Sequence, residues 1–237
     1  MLNVTRRHIL RASILDFLYC CTILPALSQR AVKANGAGPT RLNWNAFIDR
    51  LEVAAKKRGL PQWDEEQYTR HIAAHLRSLD PHDKFLGAMM SGYRDVHRST
   101  PEYRDLLHTT DVQVSLISFE KGERIPHHDH PDMTGVMTCA TGSVEVKEYD
   151  VLGVPAASGW LLKSAGQQQL EPGQISTLTS RSRNVHSVRA TMFSQIVDIF
   201  TPAYTEERKT RTRWFEVEPF PMKGAAGTFL AHPYRGK

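Results

Sequence analysis

The run Gly122-Glu123-Arg124-Ile125-Pro126-His127-His128-Asp129-His130-Pro131 places two histidines two residues apart. Along extended backbone, side chains repeat with a period of two, so His128 and His130 point the same way and can grip one ion, while His127 faces the other side. A third imidazole is available in Asn184-Val185-His186-Ser187-Val188, shortly before a long apolar run, and an antiparallel neighbour would bring His186 within reach. Three neutral imidazoles suit iron, zinc, copper or nickel and leave coordination positions open for substrate, oxygen or water. Spacing alone does not choose among these metals. Taken in isolation, His-x-His is also the pattern of a solvated turn or a capping pair. His8, His71, His75, His82, His97, His108 and His232 fall in the leader, the helical part or the tail, where surface or satisfied-core roles are the default. His71 and His75 lie four apart on one helix face but lack nearby carboxylate or cysteine spacing that would sharpen a metal reading. Trp160, Trp214 and Phe215 read as core or rim aromatics.

These histidines need a scaffold, and the apolar pattern supplies two kinds of element. Trp44, Phe47, Ile48, Leu51, Val53, Ala54 and Ala55 recur at helical spacing up to the Gly59-Leu60-Pro61 stop. A second helix follows Asp64-Glu65-Glu66, with Tyr68, Ile72, Ala73, Leu76 and Leu79 as its apolar stripe before Asp80-Pro81. Residues 84 to 108 are less periodic, with Phe85, Met89, Met90 and Tyr93 able to pack a shorter helix. From Asp111 the period changes: Val112, Val114, Leu116, Ile117 and Phe119, then Val136, Met137, Val144, Val146 and Tyr149, sit in short runs between turn residues. Met192 to Phe200 adds one more buried strand. Short strands with Gly/Pro turns and no long intervening helix predict a mainly β fold, a jelly-roll barrel with a short helical N-terminal region. The expected organisation is a leader over 1–34, a helical region packed on the barrel over 35–110, a metal-binding barrel over 111–220 and a tail over 221–237.

Charge narrows the partners. The 237 residues carry 30 Lys and Arg against 25 Asp and Glu, a formal +5. Residues 1–34 hold Arg6, Arg7, Arg11, Arg30 and Lys33 against Asp16 alone, so +4 of the +5 belongs to the leader. A nearly neutral body lacks the clustered positive face a nucleic-acid partner needs. Thr5-Arg6-Arg7-His8-Ile9-Leu10-Arg11, the apolar stretch from Ile14 to Leu27 and the small residues Ala31-Val32-Lys33-Ala34 resemble a twin-arginine export signal, which predicts a periplasmic protein; an uncleaved helix on a cytoplasmic protein is the alternative. The apolar stretch is short for a span and contains Asp16 and Pro25, so no stable membrane span is expected. Cleavage near residue 34 removes Cys20 and Cys21 and leaves Cys139 without a disulfide partner. A monomer is the expected assembly.

The segment IPHHDHPDM over Ile125–Met133, with Thr134-Gly135 and Gly142-Ser143-Val144 after it, resembles the first motif of the cupin-fold thiol dioxygenases, the family of the plant cysteine oxidases and 2-aminoethanethiol (cysteamine) dioxygenase. Leu170-Glu171-Pro172-Gly173 leading into Asn184–Ala190 is similar to the family's third-ligand region, and Asp198–Tyr204 to the segment that closes the site. The likeness covers about residues 40 to 218. It implies that His128, His130 and His186 hold Fe(II), with Asp198 and Tyr204 near the reacting atoms. Thr134 and Gly135 stand where many cupins have a fourth, glutamate ligand, which favours a three-histidine centre. The implied reaction converts cysteamine, cysteine or an N-terminal cysteine with O2 to the sulfinic acid. Asp198 would orient a histidine or receive the substrate amine, or else form a buried salt bridge; Tyr204 would donate its hydroxyl near oxygen or pack at the barrel mouth. Asn184 would fix the loop carrying His186. Departures from the family are Asp132, His127 and the stretch Glu206–Trp214, whose Arg208, Lys209, Arg211 and Arg213 face solvent or guide a carboxylate-bearing substrate. Cys139 takes a buried apolar role. The alternatives are a zinc or other divalent-metal cupin hydrolase or isomerase, and a non-catalytic metal- or small-ligand-binding cupin.

Overall fold

Asn43 and Asp64 start the two principal helices by accepting hydrogen bonds from backbone N–H groups three residues on, 2.8 Å each, in the computed structural model, which describes residues 41–80, 82–91, 101–153 and 159–235. Helix α1 (Trp44–Ala55) buries Trp44, Phe47, Leu51, Ala54 and Ala55 and runs into a 3-10 turn over Lys56–Gly59. Helix α2 (Glu65–Arg77) opens on Glu65 and Glu66 and closes on His75 and Arg77, the charge order its dipole favours, and buries Tyr68, Ile72, Ala73 and Leu76. A third helix, α3, spans Lys84–Ser91. The expected leader, with its export signal and two cysteines, lies outside the described residues, as do Tyr93 and His97. No helix among the described residues is long and apolar enough to cross a membrane.

Eleven strands follow: β1 (Glu102–His108), β2 (Gln113–Phe119), β3 (Arg124–His128), β4 (Thr134–Thr141), β5 (Val144–Val151), β6 (Trp160–Leu170), β7 (Ile175–Leu178), β8 (Val185–Ala190), β9 (Ser194–Thr201), β10 (Trp214–Val217) and β11 (Thr228–Pro233), with the short helix α4 (Glu206–Arg211) between β9 and β10. One antiparallel sheet has the order β1-β2-β9-β4-β7; the other, β10-β11-β6-β5-β8-β3, closes on itself because β10 pairs with β3. This is the expected mainly β, cupin-type architecture. Two boundaries differ from expectation. Residues 102–108 form a strand rather than part of the helical region; β1 is an edge strand whose half-covered, charge-bearing sequence hides a period of two. The tail carries β11, paired to both β6 and β10, with Ala231 fully buried.

Three apolar layers hold these elements. Ile117, Phe119, Ile125, Met137, Cys139, Val144, Val146, Leu170, Val188, Ala190 and Ile196 fill the space between the sheets. Trp44, Phe47, Leu51, Tyr68 and Ile72 pack against Val114, Leu116, Val136, Val197 and Ile199 on the outer face of the first sheet. Each such aliphatic side chain contributes about 1.5–3 kcal/mol by leaving water. The third layer, Tyr149, Leu162, Val185, Phe215 and Ala231, lies under β10 and β11. Every residue of β9 is buried because its alternate side chains serve both the helical layer and the space between the sheets. Cys139 is apolar filling as expected, its thiol pushed up to about 12 by burial.

Candidate metal centre

β3 ends at His128, whose register partners are His186 on β8 and Trp214 on β10. A register shift between Ile125 and His128, at a stretch where Pro126 cannot donate to the ladder, re-aims the end of the strand. His130 follows in the loop. The three rings converge with centroids 4.6, 4.8 and 4.9 Å apart, all three residues are buried, and one nitrogen from each lies within 4.8 Å of the others. Among the described residues they are the one cluster of three or more His, Cys, Asp or Glu side chains able to hold a metal. His127 faces elsewhere, as the strand period requires: its ring meets Tyr149 edge-on at 5.4 Å, and its buried Nε2 has no hydrogen-bond partner among the described residues.

The hydrogen bonds fix which nitrogens are free. The Pro126 carbonyl can only accept, so His128 donates to it from Nδ1 at 2.8 Å and presents Nε2 as a lone pair. His130 has its Nδ1 on the Tyr204 hydroxyl, which leaves Nε2 facing His186 Nε2 at 3.0 Å. Burial pushes His128 down to about 4 and holds His130 and His186 well below the usual imidazole range, so all three are neutral at pH 7. Neutral, buried, convergent imidazoles with no carboxylate among them fit a single divalent ion and leave positions for exogenous ligands.

Around the histidines stands a shell of partners, part of which has no signal in the sequence. Asn184 braces the centre more broadly than expected. Its Oδ1 accepts from the His130 N–H at 2.9 Å, and its Nδ2 donates to the His130 and Thr179 carbonyls at 3.0 and 2.8 Å. Asp129, between two ligands and fully buried, accepts from the Arg213 N–H at 2.7 Å and from its guanidinium Nε at 2.6 Å, while the Asp129 N–H donates to the Arg213 carbonyl at 3.0 Å. Trp214 stacks on His128 at 4.7 Å and Phe200 on His130 at 4.3 Å. Gly135, paired with Phe200, leaves the room this ring needs; a Cβ there would stand 2.9 Å from the Phe200 ring. Glu148, in register with His186, is buried on the Ser176 hydroxyl and 4.0 Å from Arg183 Nε.

The two expected catalytic residues occupy different positions. Tyr204 lies behind His130, on the nitrogen turned away from the other two histidines. Asp198 is buried on β9, two residues before Phe200 and therefore on the same side of the strand, and burial pushes its carboxyl up to about 7. It makes no ion pair among the described residues. Three of the cations of the stretch after Tyr204 have specific partners, with Arg211 and Arg213 still exposed to solvent: Arg208 donates to the Ala203 carbonyl at 3.0 Å, Arg211 pairs with Asp132 at 2.5 Å and Arg213 with Asp129. Lys209 pairs with Glu206. His71 and His75 sit with their Nε2 atoms 3.0 Å apart on α2, outside the three-histidine cluster.

A sequence model of the PCO_ADO family matches residues 76–228, from the last turn of α2 to the first residue of β11. The chain belongs to the PCO_ADO family. The match takes in all three histidines, Asp198, Tyr204 and the α4–β10 segment, and it leaves α1 and most of α2 outside. Similar solved structures include KdgF from Halomonas sp. at 19% identity, covering 48% of this chain and 88% of that one with a TM-score of 0.37, and TT1209 from Thermus thermophilus at 16%, 48% and 93% with a TM-score of 0.37. A protein from Klebsiella pneumoniae with a double-stranded β-helix domain is 18% identical, over 48% of this chain and 86% of that one, with a TM-score of 0.37. In the PCO_ADO setting the three-histidine set is the facial triad for Fe(II), and the chain is an iron-binding cupin enzyme of the thiol dioxygenase type.

Proposed function

We propose that the enzyme oxidises a small aminothiol, cysteamine or cysteine, or an N-terminal cysteine of a peptide, to the sulfinic acid. One thiol and one O2 give one sulfinic acid, so sulfur loses four electrons and dioxygen gains them, with both oxygen atoms in the product. The observation that carries the reading is the buried trio His128, His130 and His186 with the Nε2 of His128 freed by its bond to Pro126, in a PCO_ADO chain. Ferrous iron held by His128, His130 and His186 would supply a cationic, redox-active centre that favours the thiolate over the thiol.

The protein's own groups divide the remaining work. His130 donates from Nδ1 to Tyr204, which stays a neutral phenol because burial raises its pKa, so the ring keeps its orientation. Phe200 and Trp214 cover the faces of His130 and His128 and keep water from them. Asp198 receives the substrate amine: it is the buried carboxylate on the Phe200 side of β9, and an arriving ammonium would favour its ionised form. Full-length protein reconstituted with Fe(II) under argon and then given air should consume O2 with cysteine, cysteamine or a cysteinyl peptide and add two oxygen atoms to the product mass. No uptake with any of the three would sink the reading. Export is proposed on Arg6-Arg7 and the apolar run after it, and N-terminal sequencing of the mature protein tests it.

A further inference from the structure

The segment from Thr205 to Trp214 connects two residues that touch different metal-binding histidines. Just before it, the Tyr204 hydroxyl meets His130 Nδ1; at its end, Trp214 stacks on His128 and pairs with it in register. Between these points two arginines pin the chain to the histidine loop. Arg211 binds the Asp132 carboxylate at 2.5 Å, and Arg213 exchanges main-chain and side-chain hydrogen bonds with Asp129, the residue between the two ligands. Asp129 is fully buried and pairs with Arg213, whose guanidinium also lies 5.9 Å from the Trp160 ring centre and 5.8 Å from that of Phe215. Apart from this segment, the loop has Asn184 on His130 and Arg58 on the Asp132 carbonyl. The barrel holds it at the end of β3, through the Phe200 ring on His130 and through Met133, which is buried against Leu178 and Phe200 just before β4.

We propose that binding of the divalent ion and docking of this strap are one linked equilibrium, with Arg213 as the positioning residue acting through Asp129. The inference rests on the three histidines being the metal site. An ion that fixes His128 and His130 fixes the surface on which the strap docks, and a docked strap holds the two imidazoles where the ion needs them. The coupling is reciprocal by thermodynamic necessity: whatever factor the docked strap adds to metal affinity, the metal adds to docking. His186 stands apart, because β8 is held on both edges by β3 and β5.

The strap's own sequence provides the probe, since Arg208, Lys209, Arg211 and Arg213 are trypsin sites. Full-length protein loaded with Co(II) should be cut after these residues about tenfold more slowly than the metal-free protein. His186→Ala, which leaves every strap contact in place, should abolish that protection. Arg213→Gln should lose Fe(II) to a chelator about 10–100-fold more readily and shift the visible absorption of the Co(II) form, and Arg213→Lys should recover part of both because it restores charge without the two-pronged geometry. If Arg213→Gln does not fold, Arg211→Gln, at the exposed Asp132 pair, should show the same changes at smaller size. Strap cleavage that is equally fast with and without Co(II), or an Arg213 variant that retains iron and spectrum like the wild type, would overturn the proposal. Wild-type protein that protects its strap with Co(II) yet oxidises no thiol would overturn the reaction assigned above and leave this linkage standing.

Discussion

His186 and the His128–His130 pair reach the same point by different means. His186 sits within β8, whose backbone is hydrogen-bonded to β3 on one side and β5 on the other, with Val188 and Ala190 anchoring the strand in the core between the sheets. The paired histidines straddle the end of β3 and a loop, where the ladder gives way to side-chain bonds from Asn184, Arg213 and Tyr204. One ligand is placed by regular backbone pairing and apolar burial. The other two are placed by individual polar contacts, several of them buried and therefore costly to break singly. A rigid wall and an adjustable arm thus share one ion.

Removing a ligand from either side should have the largest effect, and the two removals should differ. His186→Ala and His128→Ala are each expected to cost more than about 100-fold in iron affinity, beyond the usual cost of losing an outer partner. Only His128→Ala also removes the Trp214 stack, so thermal unfolding should shift further for it than for His186→Ala. Equal shifts would erase the distinction between wall and arm.

Asn184→Ala comes next. It leaves the buried His130 N–H without its acceptor, so stability should fall by about 1–3 kcal/mol in denaturant titration. Iron retention against a chelator should drop by roughly 10–100-fold. Tyr204→Phe leaves the buried His130 Nδ1–H without its acceptor and should weaken retention by about tenfold and lower stability by about 1–3 kcal/mol. A variant that keeps iron but loses oxygenation would instead place Tyr204 at the reacting atoms.

Asp198→Asn should have the smallest effect on the metal. Its folded-state pKa, about 7, lies above that of an unfolded carboxyl, so the stabilisation it contributes is full below about pH 4 and is lost as pH rises through 7. Metal-free wild type should therefore lose stability between those values, on the order of 4 kcal/mol, and Asp198→Asn should flatten the dependence and be the more stable protein at pH 8. Iron content should not change. The KM for an aminothiol should rise more than that for a thiol lacking the amine, and an equal rise for both would remove Asp198 from amine binding.

The wall is readable in the sequence and the arm only in part. Period-two runs and turn residues disclose the barrel, and the two-residue spacing of His128 and His130 places them on one side because that rule is local. What holds the arm is not local. Asp129 meets a residue 84 positions away, and no pattern near either one announces the pair. The basic run reads as a solvated face because charge density alone does not reveal that Arg211 and Arg213, exposed as they are, have acceptors in a loop returned to them by the closure of β10 on β3. β1 and β11 escape a periodicity reading for a related reason: an edge strand and a short terminal strand show their apolar side only once a neighbour covers it.

Gly135 bears on how such a centre can change over evolutionary time. Its absent side chain makes room for the Phe200 ring, which in turn lies flat on His130. Acquiring an acidic fourth ligand at this position would require the aromatic ring to leave at the same moment, along with movement of Leu178, 3.0 Å from where the new Cβ would begin. A one-step change at residue 135 from three imidazoles to a mixed imidazole–carboxylate set is therefore opposed by the packing of two neighbouring side chains.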